Sequence, residues 1–266
     1  KISGALTLVA RRGAIAHLSP LGHMELERER PLKEDAIFRI YSMTKPITSI
    51  ATMMLYERGL FQLRDPVKNF IPAFADQGVF KMGAYPHFLT EPPARPMRTR
   101  DLLTHTSGLT YGFMHKTPVD YAYRKAGLEG LYRTGNLEET VQKIASLPLE
   151  FSPGEHWNYS MATDVLGYLV QVVSGKPFED FLREEIFEPL GMVDTGFFVP
   201  PEKQSRLPAC YERKMNRKTV LQDDPATSPY LKPPGFASGG GGLVSTAHDY
   251  ARFAEMLCRG GELDGA

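Results

Sequence analysis

The 266 residues are 42% hydrophobic and 23% charged, the balance of a globular chain able to bury a large core in one domain, or in one domain interrupted by an insertion. The 31 Lys and Arg match 31 Asp and Glu, so no net field draws the chain to nucleic acid or to an anionic membrane surface. No apolar run approaches the roughly 20 residues that span a bilayer, and the N-terminal KISGALTLVARRG lacks the order of an export signal. A cytoplasmic location is therefore expected, with a periplasmic or secreted one left open because the chain starts at Lys1 and not at a methionine.

In chain order, Ala5 to Ala10 and Ala14 to Ala16 flank Arg11-Arg12-Gly13 and predict two short strands joined by a glycine turn. Ala36 to Ile40 is a third apolar stretch and leads to Ser42. Beyond it, Ile47, Ile50 and Met54 recur at helical spacing up to the stop signal Gly59, which predicts a buried helix over 46–58. Six prolines between 62 and 100 predict loops with short turns. Thr99 to Ser107 fits a short helix stopped by Gly108. Residues 111–150 read as a mostly helical lobe that brings Tyr111, Phe113, Tyr121, Tyr123 and Tyr132 within reach of a cleft.

Leu166, Leu169, Val170 and Val173 follow the i, i+3, i+4, i+7 pattern with Gly175 just past the end, predicting a core helix over 161–174. Phe178 to Glu188 is a second amphipathic helix ended at Pro189. Residues 200–235, rich in proline and charge, predict a surface excursion with one hairpin. Thr246 to Asp249 then cap a last helix whose apolar face is Tyr250, Phe253, Ala254 and Leu257. Cys210 and Cys258 are too few for a disulfide framework and read as packed thiols. Strands near the start and helices in the middle, without regular βαβ alternation, argue for an α+β fold.

Two segments can carry chemistry. Ser42-Met43-Thr44-Lys45 puts a lysine three residues after a serine, on one face of a helical first turn. An amine there can take the hydroxyl proton, and a helix N-terminus offers N–H groups to an oxyanion. The pattern is common by chance, and a serine N-cap followed by an exposed lysine fits the same residues. Phe151 to Ser160 is a turn with the chain's single tryptophan, and it brings Tyr159 to a helix start. Tyr159 could share the proton of Ser42 there, or serve as an aromatic staple for the loop. His105, among Thr104, Thr106 and Ser107, reads as a helix-terminal structural residue. Gly239 to Gly242 has no following lysine, so close backbone packing is expected there and not a phosphate cradle. Tyr111, Phe113, Tyr123 and Phe236 are core candidates first and acyl-pocket candidates second.

Five segments occur in order: Ser42 to Pro46, Leu102 to Leu109, Pro153-Gly154 through Tyr159-Ser160, Pro189 to Thr195, and Gly241 to Ala247. Together they resemble the serine β-lactamase-like family of class C β-lactamases, D-alanyl-D-alanine carboxypeptidases and family VIII carboxylesterases, over residues 35–264. The resemblance implies an α+β, β-lactamase/transpeptidase-like fold, an antiparallel sheet flanked by helices plus a helical lobe. Residues 1–60 and 195–266 would form the sheet part, and 61–194 the lobe with an active-site loop at 151–161. It further implies that Ser42 is the acylated nucleophile, Lys45 its activator, and Tyr159 the general base that then protonates the leaving alcohol. The partner would be a small-molecule ester, with no metal, organic cofactor, nucleic acid or membrane.

Two departures refine the resemblance. Met161 stands where the β-lactamases and peptidases carry Asn, and it has no side-chain N–H for an amide carbonyl. This favours the family VIII esterase branch and esters of short to medium acyl chains. The third motif, Lys-Thr-Gly or a variant of it, is expected beyond Ala266, because Arg133-Thr134-Gly135 precedes Tyr159 and so falls in the wrong order. The expectation is a chain that lacks the C-terminal strands and one oxyanion donor, a loss that costs about 10² to 10³ in rate. Two alternatives stay open: a β-lactamase or D,D-peptidase, and a non-catalytic binding protein on a hydrolase scaffold. No G-x-S-x-G elbow is present to support an α/β-hydrolase.

Overall fold

A computed structural model describes residues 2–130 and 135–265, so Tyr132 and the Arg133-Thr134 pair lie outside the described residues. The chain opens on the predicted hairpin. Strand β1 (Gly4–Arg11) pairs antiparallel with β2 (Ala14–Glu25) through Arg12 and Gly13. Both turn residues have positive φ, 55° and 77°, the geometry that matches the twist of the flanking strands. The second strand continues well past Ala16 and pairs with β3 (Arg30–Pro31). Next come β4 (Phe38–Arg39), a 3₁₀ turn at Tyr41–Met43, and helix α1 (Thr44–Glu57).

Strands β5 (Val79–Ala84) and β6 (His87–Glu91) form an antiparallel hairpin inside the proline-rich stretch that the sequence assigns to loops. Its residues are mostly exposed on both faces, so they carry no clean alternation of apolar and polar positions. Helices α2 (Thr99–Leu103), α3 (Pro118–Lys125), α4 (Leu137–Ala145), α5 (Ala162–Ser174) and α6 (Phe178–Leu182) follow, the last running into a π-helical turn at Arg183–Phe187. Strands β7 (Cys210–Arg213) and β8 (Thr219–Asp223) are the expected surface hairpin. The chain ends with β9 (Val244–Ser245) and α7 (Ala247–Cys258). The whole is an α+β fold of helices and small antiparallel sheets.

Local signals explain most boundaries. Thr117, Asn136 and Thr246 each accept the N–H of the residue three positions on, capping α3, α4 and α7. Gly175, at φ 71°, closes α5 in the left-handed conformation. Helix α2 stops earlier than expected: it ends at Leu103, and the left-handed residue nearest its end is His105 at φ 55°, with Gly108 three residues further on. The thiols also depart from expectation. Cys258 is exposed and Cys210 only partly covered, because each lies at the solvent edge of its element.

The chain divides into two compact units, Lys1–Ile40 with Arg183–Pro234 and Leu243–Ala266, and Tyr41–Leu182 with Gly235–Gly242. In the first, Ile37, Val199, Leu207, Tyr230 and Val244 form one apolar cluster and Met24, Leu32 and Ala36 another. Arg39 is buried there, its guanidinium on Asp223, Ser228 and the Pro208 carbonyl. The second unit is built on α5, which is buried on every side from Ala162 to Val170 and packs against α1, whose buried residues include Ile47, Ala51 and Leu55. Burying a side chain the size of Ile47 or Leu55 contributes about 1.5–3 kcal/mol relative to exposure. This packing places α1 in the helical unit, where the sequence grouped residues 1–60 with the sheet. Among the described residues no helix is long and apolar enough to cross a membrane, and no group of His, Cys, Asp and Glu is arranged to hold a metal ion.

Candidate active site

All the residues that follow belong to the second unit. Ser42 sits in the 3₁₀ turn that opens α1, directly after Tyr41, whose backbone is left-handed at φ 44°. A non-glycine residue held there is strained and needs its surroundings to fix it. Lys45 is one turn on, and its Nζ donates to Ser42 Oγ at 3.2 Å and to the Gly240 carbonyl at 2.6 Å. Tyr159 Oη lies 2.6 Å from the same serine oxygen. The ammonium also stands 4.6 Å over the Tyr159 ring centroid and 5.6 Å over that of Tyr111, an arrangement that favours the cation electrostatically. The three residues singled out in the sequence thus meet at one oxygen.

Tyr159 is held by the backbone of its loop. Gly154 N donates to Thr106 O at 2.7 Å, Asn158 N to His105 O at 2.8 Å, and Met161 N to Thr110 O at 3.2 Å, while Asn158 Nδ2 donates to Leu109 O at 2.9 Å. The segment after α2 therefore acts as a template for residues 154–161. Gly154 has φ 94°, and a Cβ there would run into the Arg95 guanidinium, which is itself forked onto Asp101. Met161 is fully buried as the residue before α5, so its side chain joins the core.

On the lysine side, the glycine run packs as closely as its composition suggests. A Cβ on Gly239 would lie 2.6 Å from the Thr163 carbonyl, and one on Gly240 2.8 Å from Asp164 Oδ2. Asp164, in the first turn of α5, accepts from Ser238 Oγ at 2.6 Å and from Gly240 N at 3.1 Å. Thr48 of α1 donates to Gly239 O at 2.8 Å.

His105 belongs to the site as well as to the helix end. Its ring lies 5.0 Å from that of Tyr159, and its Nδ1 is 3.2 Å from Ser160 Oγ. Burial, and then the nearby Lys45 charge, push its pKa down to about 4, so it is neutral at pH 7. Nothing local in the sequence distinguishes this role from capping. Among the other aromatics, Trp157 is 67% exposed and stacks on Tyr159 at 6.4 Å. Phe113 stacks on Tyr111 at 4.6 Å. Tyr123 and Phe236 are core, and Tyr121 takes Arg124 and Lys125 over its ring.

Known proteins share this arrangement of sequence and fold. The profile of the Beta-lactamase family matches residues 1–266. An uncharacterized protein of Mycobacterium tuberculosis is 37% identical over 264 residues, which cover 99% of this chain and 64% of that protein. Esterase EstB of Burkholderia gladioli is 31% identical over 273 residues, 97% of this chain and 66% of EstB. Among solved structures, EstCE1, described as a hydrolase with promiscuous acyltransferase activity, matches with a TM-score of 0.83 at 27% identity, over 99% of this chain and 69% of that one. The chain spans just under two thirds of the length of these two curated relatives. Matched along its whole length by the family profile, it belongs to the Beta-lactamase family.

Proposed function

We propose that this chain carries the acylation machinery of a serine hydrolase acting on carboxylic esters of short to medium acyl chains. Ser42 is the nucleophile, Lys45 its activator, and Tyr159 the group that takes and returns the proton. The observation that supports this reading is the shared oxygen: Ser42 Oγ has Tyr159 Oη at 2.6 Å and Lys45 Nζ at 3.2 Å, within reach for proton transfer.

In this chemistry Tyr159 Oη is the general base, with Lys45 Nζ beside it. As Ser42 Oγ attacks the ester carbonyl carbon, its proton passes to Tyr159 Oη. Collapse of the tetrahedral adduct breaks the bond to the alcohol oxygen, which leaves with the proton from Tyr159. Water then gives a proton to Tyr159 and attacks the acyl carbon. Ser42 Oγ is expelled, takes that proton back, and the carboxylic acid departs. Positioned proton transfer of this kind contributes about 10² to 10⁴ in rate.

Preference for esters over amides rests on Met161, which supplies no side-chain N–H, and on the similarity to Esterase EstB. A second reading replaces water by an acceptor alcohol, giving acyl transfer through the same acyl-enzyme; the similarity to EstCE1 favours it. A fluorophosphonate probe, p-nitrophenyl butyrate and nitrocefin test the proposal. One adduct is expected, on the peptide bearing Ser42 and absent from Ser42→Ala, with the ester turned over faster than nitrocefin. No adduct on the wild type would reduce the protein to a binding scaffold, and faster nitrocefin hydrolysis would redirect it to β-lactams.

A further inference from the structure

Asp164 is 1% exposed, and among the described residues its carboxylate touches no lysine, arginine or histidine. Its partners are two neutral donors, Ser238 Oγ at 2.6 Å and Gly240 N at 3.1 Å, both on Oδ1. A buried carboxylate without a cation is costly to keep, and a polar side chain in a helix first turn needs no such burial to favour the helix dipole. The residue it holds supplies the reason to look further. Gly240 presents its N–H to Asp164 and its carbonyl to Lys45 Nζ, the latter at 2.6 Å.

We infer that Asp164 is a positioning residue for Lys45, acting through Gly240. The carboxylate fixes the N–H of Gly240, and with it the direction of the carbonyl that holds the ammonium against Ser42. The neighbouring contacts fit this role. Thr48 Oγ1 ties Gly239 O to α1 at 2.8 Å, and the N–H groups of Gly241 and Gly242 return to Ser238 O. The turn is thus fastened to both helices of the core, α1 through Thr48 and α5 through Asp164. The glycines leave no room for a side chain between carboxylate and backbone, since a Cβ on Gly240 would lie 2.8 Å from Asp164 Oδ2 and 3.0 Å from the Tyr111 oxygen. A displacement of about 1 Å at such a group costs on the order of 10²-fold in rate.

The inference rests on the acylation reading above, and the test separates the two. Active-site titration with a fluorophosphonate gives the competent fraction, and the labelling rate is then expressed per competent site. Asp164→Ala is expected to lower that rate and kcat for p-nitrophenyl butyrate by about tenfold or more, with KM within about twofold of the wild type. Asp164→Asn, whose amide oxygen still accepts from Gly240 N and Ser238 Oγ, is expected to recover to within about threefold of the wild type. A loss of folded protein alone would shrink the competent fraction and leave the rate per site unchanged. That unchanged rate, or an Asp164→Asn variant as slow as Asp164→Ala, overturns the inference. If Asp164→Ala does not fold, Ser238→Ala takes its place: a loss of about two- to fivefold per site supports the inference and no loss overturns it. A wild type that does not label removes the hydrolase reading and this inference together, whereas a labelling wild type with an indifferent Asp164 removes only the second.

Discussion

Asp101 and Asp164 are both buried, 2% and 1% exposed, both in the first turn of a helix, and both brace a glycine turn that bears on Ser42. They do it by opposite means. Asp101 receives the Arg95 guanidinium at 2.7 and 2.9 Å and the Arg98 N–H at 2.8 Å, and Arg95 in turn lies against Gly154, on the loop of Tyr159. Hydrogen bonding to Asp101 holds that guanidinium still more firmly protonated. Asp164 has only neutral donors and leads through Gly240 to the lysine. A charge cancelled by its neighbour acts as a fastening, whose removal is felt by the folded state as a whole. A carboxylate that accepts only from neutral donors next to the lysine's anchor acts through the direction of its hydrogen bonds, and its removal is felt in the chemistry.

That contrast can be broken or sharpened. The largest effect expected is from Tyr159→Phe, which deletes one oxygen and leaves the Arg95–Asp101 brace in place: labelling of Ser42 per competent site should fall by about 10² or more, with the urea midpoint nearly unchanged. Asp101→Asn should do the reverse. It leaves Arg95 without its carboxylate and costs about 2–3 kcal/mol in urea unfolding, less than a fully buried pair because Arg95 is 30% exposed. Its rate per competent site should stay within about twofold of the wild type, and a tenfold fall would erase the distinction from Asp164.

The smallest effect belongs to His105, which touches both regions through Tyr159 and the Lys45 charge. Its folded pKa of about 4 lies below the ordinary 6.5, so in that window the unfolded chain binds more protons and stability falls as pH falls. Replacement by Asn, which tolerates the left-handed backbone, should flatten the slope of unfolding free energy between those pH values. A slope as steep in His105→Asn as in the wild type would assign the pH dependence to other groups.

Ser42, Lys45 and Tyr159 could be nominated from the ordered family segments, since their local spacing alone fits a serine cap and an aromatic staple as well. Lys45 follows Ser42 by one helical turn, and Tyr159 precedes a strongly periodic helix. The glycine run could likewise be read as close packing from its composition. Asp164 was not legible, because an acidic residue in a first turn already has a reason to be there, and its contact with Gly240 joins positions 76 apart in the chain. His105 was hidden in the same way by its capping neighbours. The hairpin at 79–91 escaped because, exposed on both faces, it needs no binary pattern. The exposure of Cys258 at the end of α7 depends on what covers a helix terminus, which periodicity does not encode.

Trp157 is the chain's single tryptophan, open to solvent and stacked on the ring of Tyr159. All indole emission therefore arises beside the oxygen that faces Ser42. Placing an acyl group on that serine alters the surroundings of the fluorophore, so formation and decay of the covalent intermediate should be visible in a stopped-flow fluorimeter without any added reporter.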